Sequence, residues 1–240
     1  MKPDPNKNSV HLYATEEIDC SYLPGQLSLN HVIDPNFTMD DKTYSVLSEQ
    51  GFRRSGNQVY RPGCNHCKAC VATRIKVSEF IISRRFKRVI KRNCDLQFSI
   101  VNNIDQEEYY QLYKGYILNR HASGPMFPPS REQYDSFLEC HWINSQYFQW
   151  KLDGKLICVA VTDDLENAFS AIYTFFDAQY ASRSLGTLGV LEQIKQTQMQ
   201  QKEFLYLGYW IENSRVMQYK IQFQPIMGFI DGIWCPLATK

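Results

Sequence analysis

Three cysteines stand at two successive C-x2-C spacings within residues 60–77, YRPGCNHCKACVATRIKV. Cys64, Cys67 and Cys70 occupy a turn-rich segment, and the alternating apolar residues that follow predict a half-buried strand. Thiols this close in sequence lose little chain entropy when they gather. With the distant Cys20 they make a four-thiolate set that suits tetrahedral zinc or an iron–sulfur cluster. The alternative is that the thiols stay reduced and pack locally.

The composition predicts a folded protein of a reducing compartment. Hydrophobic residues make up 44% of the 240 residues and aromatic residues 14%, which is enough for a core. Because no apolar run approaches about 18 residues, we expect no transmembrane helix. The sequence MKPDPNKNSV at the start lacks the apolar centre of a signal peptide. Eight cysteines without such a signal favour the cytoplasm, where clustered thiols bind metals or catalyse.

One concentrated basic patch follows the predicted strand. Ser83 is a predicted N-cap, and Phe86, Val89 and Ile90 stand at helical spacing, which would seat the helix on a core. Six cations fall within residues 84–92 without one acidic residue. Such a run is often only a solvated helix face, but this density favours binding to nucleic-acid phosphate. The cations are Arg84, Arg85, Lys87, Arg88, Lys91 and Arg92.

A domain boundary is predicted near residue 104. Residues 1–104 would form a cysteine-cluster and substrate-recognition domain, and residues 105–240 a transferase domain. Asp105 and Glu108 have the spacing of a capping box at the start of a helix. Ser130 is the predicted N-cap of the next helix.

The rest of the chain predicts the order strand, strand, strand, loop, helix, strand, helix, strand. The segments FQWKL, LICVAVTD and AFSAIYTFF are separated by turn signals, which favours an antiparallel meander. A helix is predicted from about Leu185, a strand at FLYLGYW, and a short helix from Ser214 to Ile221. The predicted fold class is therefore α/β (α+β), with a mixed sheet.

This order, with the loop at residues 183–187, resembles the acetyltransferase-type (GNAT-like) fold. That resemblance implies that backbone N–H groups at the helix start receive a phosphate, since free amides and the helix dipole favour an anion. The loop reads RSLGTL and departs from the usual R-x-x-G-x-G/A pattern. The backbone at Leu185, Gly186 and Thr187 is predicted to bind a terminal phosphate or an ester oxyanion, with Arg183 supporting the same anion.

A more specific resemblance emerges when both halves are taken together. The chain resembles the bacterial aspartate/glutamate leucyltransferases, short relatives of the arginyl-tRNA–protein transferases. The resemblance implies a cytoplasmic enzyme that moves leucine from leucyl-tRNA onto proteins beginning with Asp or Glu, marking them for degradation. It implies no membrane or DNA partner. The segments that carry it are CSYLPG, FRRSG, YRPGCNHCKACVATRI, FKRVIKRN, YTFFDAQYASRSLG, YLGYWI and MQYKIQFQP.

The chemistry of that reaction limits which residues matter. The donor ester is already activated, and the acceptor α-amine, with a reference pKa of about 7.7–8.0, has a usable neutral fraction. No covalent intermediate and no cofactor are required, so no cysteine need be a nucleophile. Asp177 is predicted to hold or deprotonate the amine, with an ordinary turn aspartate as the alternative. Tyr209 and Tyr219 are predicted hydrogen-bond or proton donors, with packing as the alternative.

Recognition of an acidic N-terminal residue requires a fixed cation, and the arginine fork matches a carboxylate with two hydrogen bonds. Arg53, Arg54 and Arg74 flank the cysteine cluster and are the predicted cations. Lys220 is a further candidate for the carboxylate or the tRNA, with a solvated helix lysine as the alternative. Two other functions stay open: arginyl transfer to the same acceptors, and a non-catalytic, metal-bearing RNA-binding module.

Overall fold

An eight-stranded sheet forms the body of the chain, with smaller sheets and helices packed on it. The computed structural model describes residues 10–122, 124 and 126–237. Its strands are β1 Leu12–Ala14, β2 Ile18–Asp19, β3 Leu27–Ser28, β4 Asn30–Ile33, β5 Arg53–Ser55, β6 Gln58–Pro62, β7 Val71–Lys76, β8 Gln97–Val101, β9 Ser145–Leu152, β10 Lys155–Asp164, β11 Ala168–Phe176, β12 Phe204–Trp210, β13 Ile226–Ile230 and β14 Ile233–Pro236.

Helices connect these strands and cover the large sheet. The α-helices are α1 Asp41–Glu49, α2 Arg84–Arg92, α3 Glu107–Arg120, α4 Arg131–Leu138 and α5 Leu185–Met199. Short 3-10 helices occur at Val77–Glu79, Ala178–Arg183 and Gln218–Gln222. Within the described ranges no helix is long and apolar enough to cross a membrane.

The predicted mixed sheet is confirmed in the second half of the chain. β9, β10 and β11 pair in antiparallel order, as the meander prediction requires. α5 then crosses over the sheet, and β12 returns parallel to β11. A parallel return needs a long crossover, and α5 with its flanking loops supplies it. An antiparallel meander followed by a helix and a parallel strand is the acetyltransferase-like arrangement that the element order predicts.

Strands from the first hundred residues complete this sheet. β7 lies between β12 and β13 and is antiparallel to both. β8 pairs with β9 at the opposite edge, so the order is β14-β13-β7-β12-β11-β10-β9-β8. The large sheet therefore contains strands from both sides of the boundary predicted after residue 104. The division into 1–104 and 105–240 stays a prediction.

A smaller sheet, in the order β1-β4-β6-β5, packs against the large one. The segment FRRSGNQVYR forms the β5–β6 hairpin. Ile33, Tyr44 and Phe52 from this region form a buried cluster with Ala168 and Tyr206 of the large sheet. The hairpin is thereby held against β11 and β12.

The helices α3 and α5 lie on opposite faces of the large sheet. The ring of Tyr113 in α3 stands 5.7 Å from the ring of Phe175, centroid to centroid. A Cβ added to Gly189 in α5 would lie 3.5 Å from Cγ2 of Thr174. Because consecutive strand residues point to opposite faces, Thr174 and Phe175 mark the two sides.

Of the three predicted helix N-caps, two are confirmed and one is wrong. The hydroxyl groups of Ser83 and Ser130 cap α2 and α4, as predicted. The predicted capping box of Asp105 with Glu108 is wrong, because α3 begins after Gln106, which makes no side-chain cap bond. The carboxylate of Glu108 instead accepts from the backbone N–H of Leu156 at 3.3 Å.

The short helix predicted from Ser214 to Ile221 is a 3-10 helix that starts later, at Gln218–Gln222. The predicted final strand is a hairpin of two strands, β13 and β14.

Candidate active site

A cleft opens where β11 and β12 separate. Their parallel pairing runs only from Ala168–Phe204 to Ser170–Tyr206. Beyond these pairs, β11 continues to its end at Phe176, and β12 to its own end, without pairing with each other. We call this gap the β11–β12 cleft. It opens at the carboxyl ends of both strands, the end of a parallel sheet at which ligands usually bind.

Arg53 occupies the base of this cleft. Its Nη2 donates to the carbonyl oxygen of Ala171, the first β11 residue beyond the paired section, at 2.6 Å. The side chain is largely buried, with Arg53 only 9% exposed, and its Nη1 has no hydrogen-bond partner in the part of the chain that the structure describes. An unpaired buried charge is unfavourable, so this nitrogen is suited to receive a ligand oxygen.

Gly208 makes room for the Arg53 guanidinium. It has φ of +77° and lies where the register of β12 shifts against β7. A Cβ at this position would stand only 2.8 Å from Cζ of Arg53. Arg53 and Gly208 also line a cavity with about 10 Å³ of free volume, room for one water-sized group. A larger group reaches Arg53 through this cavity only if a lining side chain moves.

Lys220 lies beside Arg53 at the end of the cleft that follows β12. Its amine donates to the carbonyl oxygen of Tyr209, and the residue is 8% exposed. Burial, with a smaller contribution from the positive charge of Arg53, lowers the pKa of Lys220 to about 7. The predicted alternative, a solvated helix lysine, is therefore wrong.

The two predicted tyrosines differ in what their hydroxyl groups do. The hydroxyl of Tyr209 donates to the carbonyl oxygen of Gly51 at 2.9 Å and lies 3.3 Å from that of Tyr60. These contacts tie β12 to the β5–β6 hairpin, and burial raises the pKa of Tyr209. Tyr219 is 42% exposed, and its ring centroid lies 6.0 Å from Nζ of Lys220. Tyr219 is therefore the more accessible of the two.

The other two predicted arginines, Arg54 and Arg74, contact partners outside the cleft. Arg54 forms two 2.6 Å hydrogen bonds with the carboxylate of Asp163 and a third bond, at 3.1 Å, with the hydroxyl of Ser145. Arg74 has its Cζ 3.7 Å from the ring centroid of Phe204 and 4.3 Å from that of Trp234. Arg54 thus joins two sheets, and Arg74 packs between aromatic rings beside the paired section. Of the three, Arg53 is the one that lies in the cleft.

The four cysteines lie together beside the cleft. All four thiols are free and half-buried. Burial, and to a lesser extent the nearby thiols of Cys64, Cys20 and Cys67, raises the pKa of Cys70 to about 12. Among the described residues, however, no group of three or more His, Cys, Asp or Glu side chains is arranged to hold a metal ion. Zinc or an iron–sulfur cluster stays a sequence prediction, which metal analysis of protein purified without oxygen tests.

The start of α5 stands at the open end of the cleft. Ser184 precedes it in the left-handed conformation, with φ of 59°, and contributes no side-chain cap. The first backbone N–H groups of the helix, at Leu185, Gly186 and Thr187, therefore have no intrahelical partner. These amides and the positive end of the helix dipole favour an anion, as the sequence predicts.

The basic helix α2 packs next to this helix start. Phe86 and Val89 are buried as predicted, and the six cations are exposed. The prediction that Ile90 also packs on the core is wrong, because Ile90 is 41% exposed. The guanidinium of Arg92 donates to the carbonyl oxygen of Ser182, and Nδ2 of Asn93 donates to that of Arg183 at 2.9 Å. The structure therefore brings the predicted phosphate-binding loop and the predicted nucleic-acid helix together.

Two predicted site residues have structural partners. Arg183 forms a two-bond ion pair with Asp95, at 2.8 and 2.9 Å, which raises the pKa of Arg183 and fixes the loop. Asp177 caps the following 3-10 helix through Gln179 and pairs with Lys155 at 2.8 Å. For Asp177 this geometry favours the alternative, an ordinary turn aspartate. For Arg183 it favours support of the loop over direct contact with phosphate.

Sequence reasoning missed Gly208, although a signal was present. An isolated glycine inside a strand pattern, here within FLYLGYW, indicates a bulge or a close backbone approach. The pattern did not reveal that the approaching group is the guanidinium of Arg53, because that residue is far away in sequence.

The mixed sheet, its cleft and the helix that starts beside it place the chain in the acetyltransferase-like fold class. The chain belongs to the arginine-tRNA–protein transferase family. The model of the family's C-terminal part, "Arginine-tRNA-protein transferase, C terminus", matches residues 108–229. The corresponding N-terminal model matches residues 18–88.

Curated relatives extend this match over nearly the whole chain. Proteins named aspartate/glutamate leucyltransferase from Pseudomonas fluorescens and Pseudomonas aeruginosa are 47% and 46% identical. Each alignment covers 95% of this chain and 97% of the relative. A protein of the same name from Stutzerimonas stutzeri is 45% identical over the same shares. The solved structure of L-PGS from Bacillus licheniformis matches 60% of this chain and 46% of its own, at 11% identity and a TM-score of 0.47, and adds nothing to the assignment.

Proposed function

We propose that this protein transfers leucine from leucyl-tRNA to the α-amine of proteins that begin with Asp or Glu. The observation that carries the proposal is the 45–47% identity, over 94–95% of the chain, to relatives named for that activity. The transfer would take place in the cytoplasm and mark the acceptor for degradation. The chain is an enzyme of the aminoacyl-tRNA–protein transferase class.

The reaction needs two large substrates to meet in the cleft. The nitrogen of the acceptor α-amine attacks the ester carbon, a C–N bond forms, and the bond from that carbon to the ribose oxygen breaks. The amine loses one proton and the ribose oxygen gains one, so the step balances without a cofactor. Holding the two substrates in this geometry supplies much of the acceleration.

The donor side of the cleft suits a tRNA end. The amides at Leu185, Gly186 and Thr187 would bind the terminal phosphate, and α2 would contact the phosphates of the adjoining stem. Since α2 is anchored to the 3-10 helix before α5 through Arg92, the two surfaces keep a fixed relation.

An aromatic cluster at the end of β11 would suit leucine better than arginine as the transferred residue. Tyr116 and Phe176 pack there with ring centroids 5.0 Å apart, and Tyr116 is also 6.1 Å from Tyr173. The guanidinium carbon of Arg120 lies 5.3 Å from the ring centroid of Phe176. An aromatic surface suits an apolar side chain, and the positive charge of Arg120 disfavours a second cation such as an arginine side chain. The description of the family models keeps arginyl transfer as the second candidate.

Labelled aminoacyl-tRNA separates the candidates. Leucyl-tRNA and arginyl-tRNA, each carrying a labelled amino acid, are offered separately with a protein that begins with Asp. We expect label in the acceptor only from leucyl-tRNA. Label from arginyl-tRNA alone would replace the proposal with arginyl transfer. Binding of tRNA without any transfer would favour the non-catalytic RNA-binding module.

A further inference from the structure

Two buried cations stand side by side at the base of the β11–β12 cleft. Arg53 reaches it from the β5–β6 hairpin, and Lys220 reaches it from the segment after β12. They are 9% and 8% exposed, and the charge of Arg53 acts directly on Lys220. Like charges in a buried site repel each other, which adds to the effect of burial on Lys220.

No acidic side chain of the described ranges offsets these charges. None of the ion pairs there includes Arg53 or Lys220. The other titratable groups that face the pair are the thiol of Cys70 and the phenols of Tyr44, Tyr60, Tyr209 and Tyr219. By contrast, the buried neighbour Arg54 is fully paired with Asp163.

Arg53 is also incompletely bonded. Its Nη2 is held by the carbonyl oxygen of Ala171, which fixes the guanidinium, while its Nη1 has no partner within the described residues. An anion that accepts from the free donor would stabilise this site, because unpaired buried charge is unfavourable. The geometry therefore points to an anionic ligand group at this position.

We propose that Arg53 and Lys220 bind the side-chain carboxylate of the acceptor's N-terminal Asp or Glu and thereby set acceptor specificity. This assignment rests on the proposed function, and it narrows the acceptor site to these two residues. Once a side chain that lines the cavity moves aside, the free Nη1 of Arg53 donates to one carboxylate oxygen. The amine of Lys220 donates to the other oxygen.

The position of the pair agrees with the order of groups in the reaction. Arg53 marks one end of the unpaired part of β11, at Ala171, and the start of α5 follows the other end, at Phe176. These ends are about 17 Å apart along an extended strand. The terminal phosphate of the tRNA would lie at one end and the acceptor carboxylate at the other. The ester carbon and the attacking amine would then meet between them.

Peptide binding tests the proposal without relying on catalysis. Two labelled peptides that differ only in their first residue, Asp or Asn, are titrated with the wild-type chain and with Arg53→Met and Lys220→Met. Methionine keeps the length of the side chain and removes its charge. Lys195→Met, an exposed α5 lysine paired with Glu192, is the control. Leucyl-tRNA binding by each variant shows that the donor side is intact.

We expect wild type and the control to prefer the Asp peptide. Removing one partner of a buried charge pair should weaken Asp binding by about 30-fold or more and leave Asn binding unchanged. A preserved preference for Asp in both variants would overturn the proposal, and so would an equal loss of both peptides. If Arg53→Met does not fold, Lys220→Met carries the same test. If wild type binds Asp peptides through these cations yet transfers no leucine, the proposed function fails while this site stands.

Discussion

Nη2 of Arg54 and Oδ1 of Asp163 lie 2.6 Å apart, and neither side chain is exposed to solvent. This ion pair joins β5 of the small sheet to β10 of the large one. Breaking a buried pair leaves one charge uncompensated. We expect Arg54→Met to lower the free energy of unfolding by about 3–5 kcal/mol, measured by urea denaturation.

Lys76→Met is the control for that loss. Lys76 pairs with Glu79 at 2.9 Å, but both side chains are well exposed. Exposed pairs contribute about 1 kcal/mol or less. Equal losses in the two variants would contradict a structural role for the buried pair.

Gly208→Ala should displace Arg53. The new Cβ would stand 2.8 Å from Cζ of Arg53 on a backbone with φ of +77°. We expect a stability loss of about 1–3 kcal/mol from strain, together with loss of the preference for Asp peptides.

Gly154→Ala separates the two effects. Gly154 has φ of +82°, and a Cβ there meets no atom within 4 Å. The Gly154→Ala variant should therefore lose stability in urea through backbone strain. In the peptide titrations it should keep the preference for the Asp peptide. Identical peptide binding in the two variants would mean that Arg53 does not depend on Gly208.

Local elements could be predicted from the sequence because their signals are local. α2 has its cap at Ser83 and its apolar stripe at Phe86 and Val89, all within seven residues. The β9–β11 meander follows from alternation and turn residues in the same way. Insertion of β7 between β12 and β13 could not be predicted, because strand pairing across the chain leaves no mark on local periodicity.

The same difference between local and long-range signals applies to the candidate site. The helix start at Leu185 and the basic helix were predicted correctly as elements, since each is a contiguous segment. Individual side chains were harder to assign, because a distant partner decides what each one does. Asp95 engages Arg183 and Lys155 engages Asp177. Asp95 and Lys155 lie outside the motif that contains Arg183 and Asp177, so that motif could not reveal either partner.

Neutralising part of α2 should weaken tRNA binding. A variant with glutamine at Arg84, Arg85, Lys87 and Arg88 keeps Arg92, which contacts the neighbouring loop. Because these side chains are exposed, folding should be unaffected. We expect the slope of log Kd against log salt to fall by about one for each phosphate contact that is lost.

The peptide titration supplies the control for the α2 variant. Affinity for the Asp peptide should equal that of wild type, because α2 lies on the donor side. An unchanged salt slope for tRNA would show that α2 is only a solvated helix face.

Stability should rise with pH through Lys220. Its pKa is about 7 in the folded chain and 10.5 as the ordinary value. Between these values the unfolded chain binds more protons, so raising the pH favours the folded state. The contribution is at most about 1.4 kcal/mol per pH unit. In urea denaturation from pH 7 to 10, the difference between wild type and Lys220→Met should show this slope, and a flat difference would contradict the burial of an unpaired lysine.

Mass spectrometry of an acceptor peptide tests the central claim most directly. The wild-type chain is given an equal mixture of leucyl-tRNA and arginyl-tRNA, with peptides that begin with Asp and with Asn. The account predicts the mass increase of one leucyl residue, on the α-amine of the Asp peptide alone. Addition of arginine, or equal addition to both peptides, would contradict it.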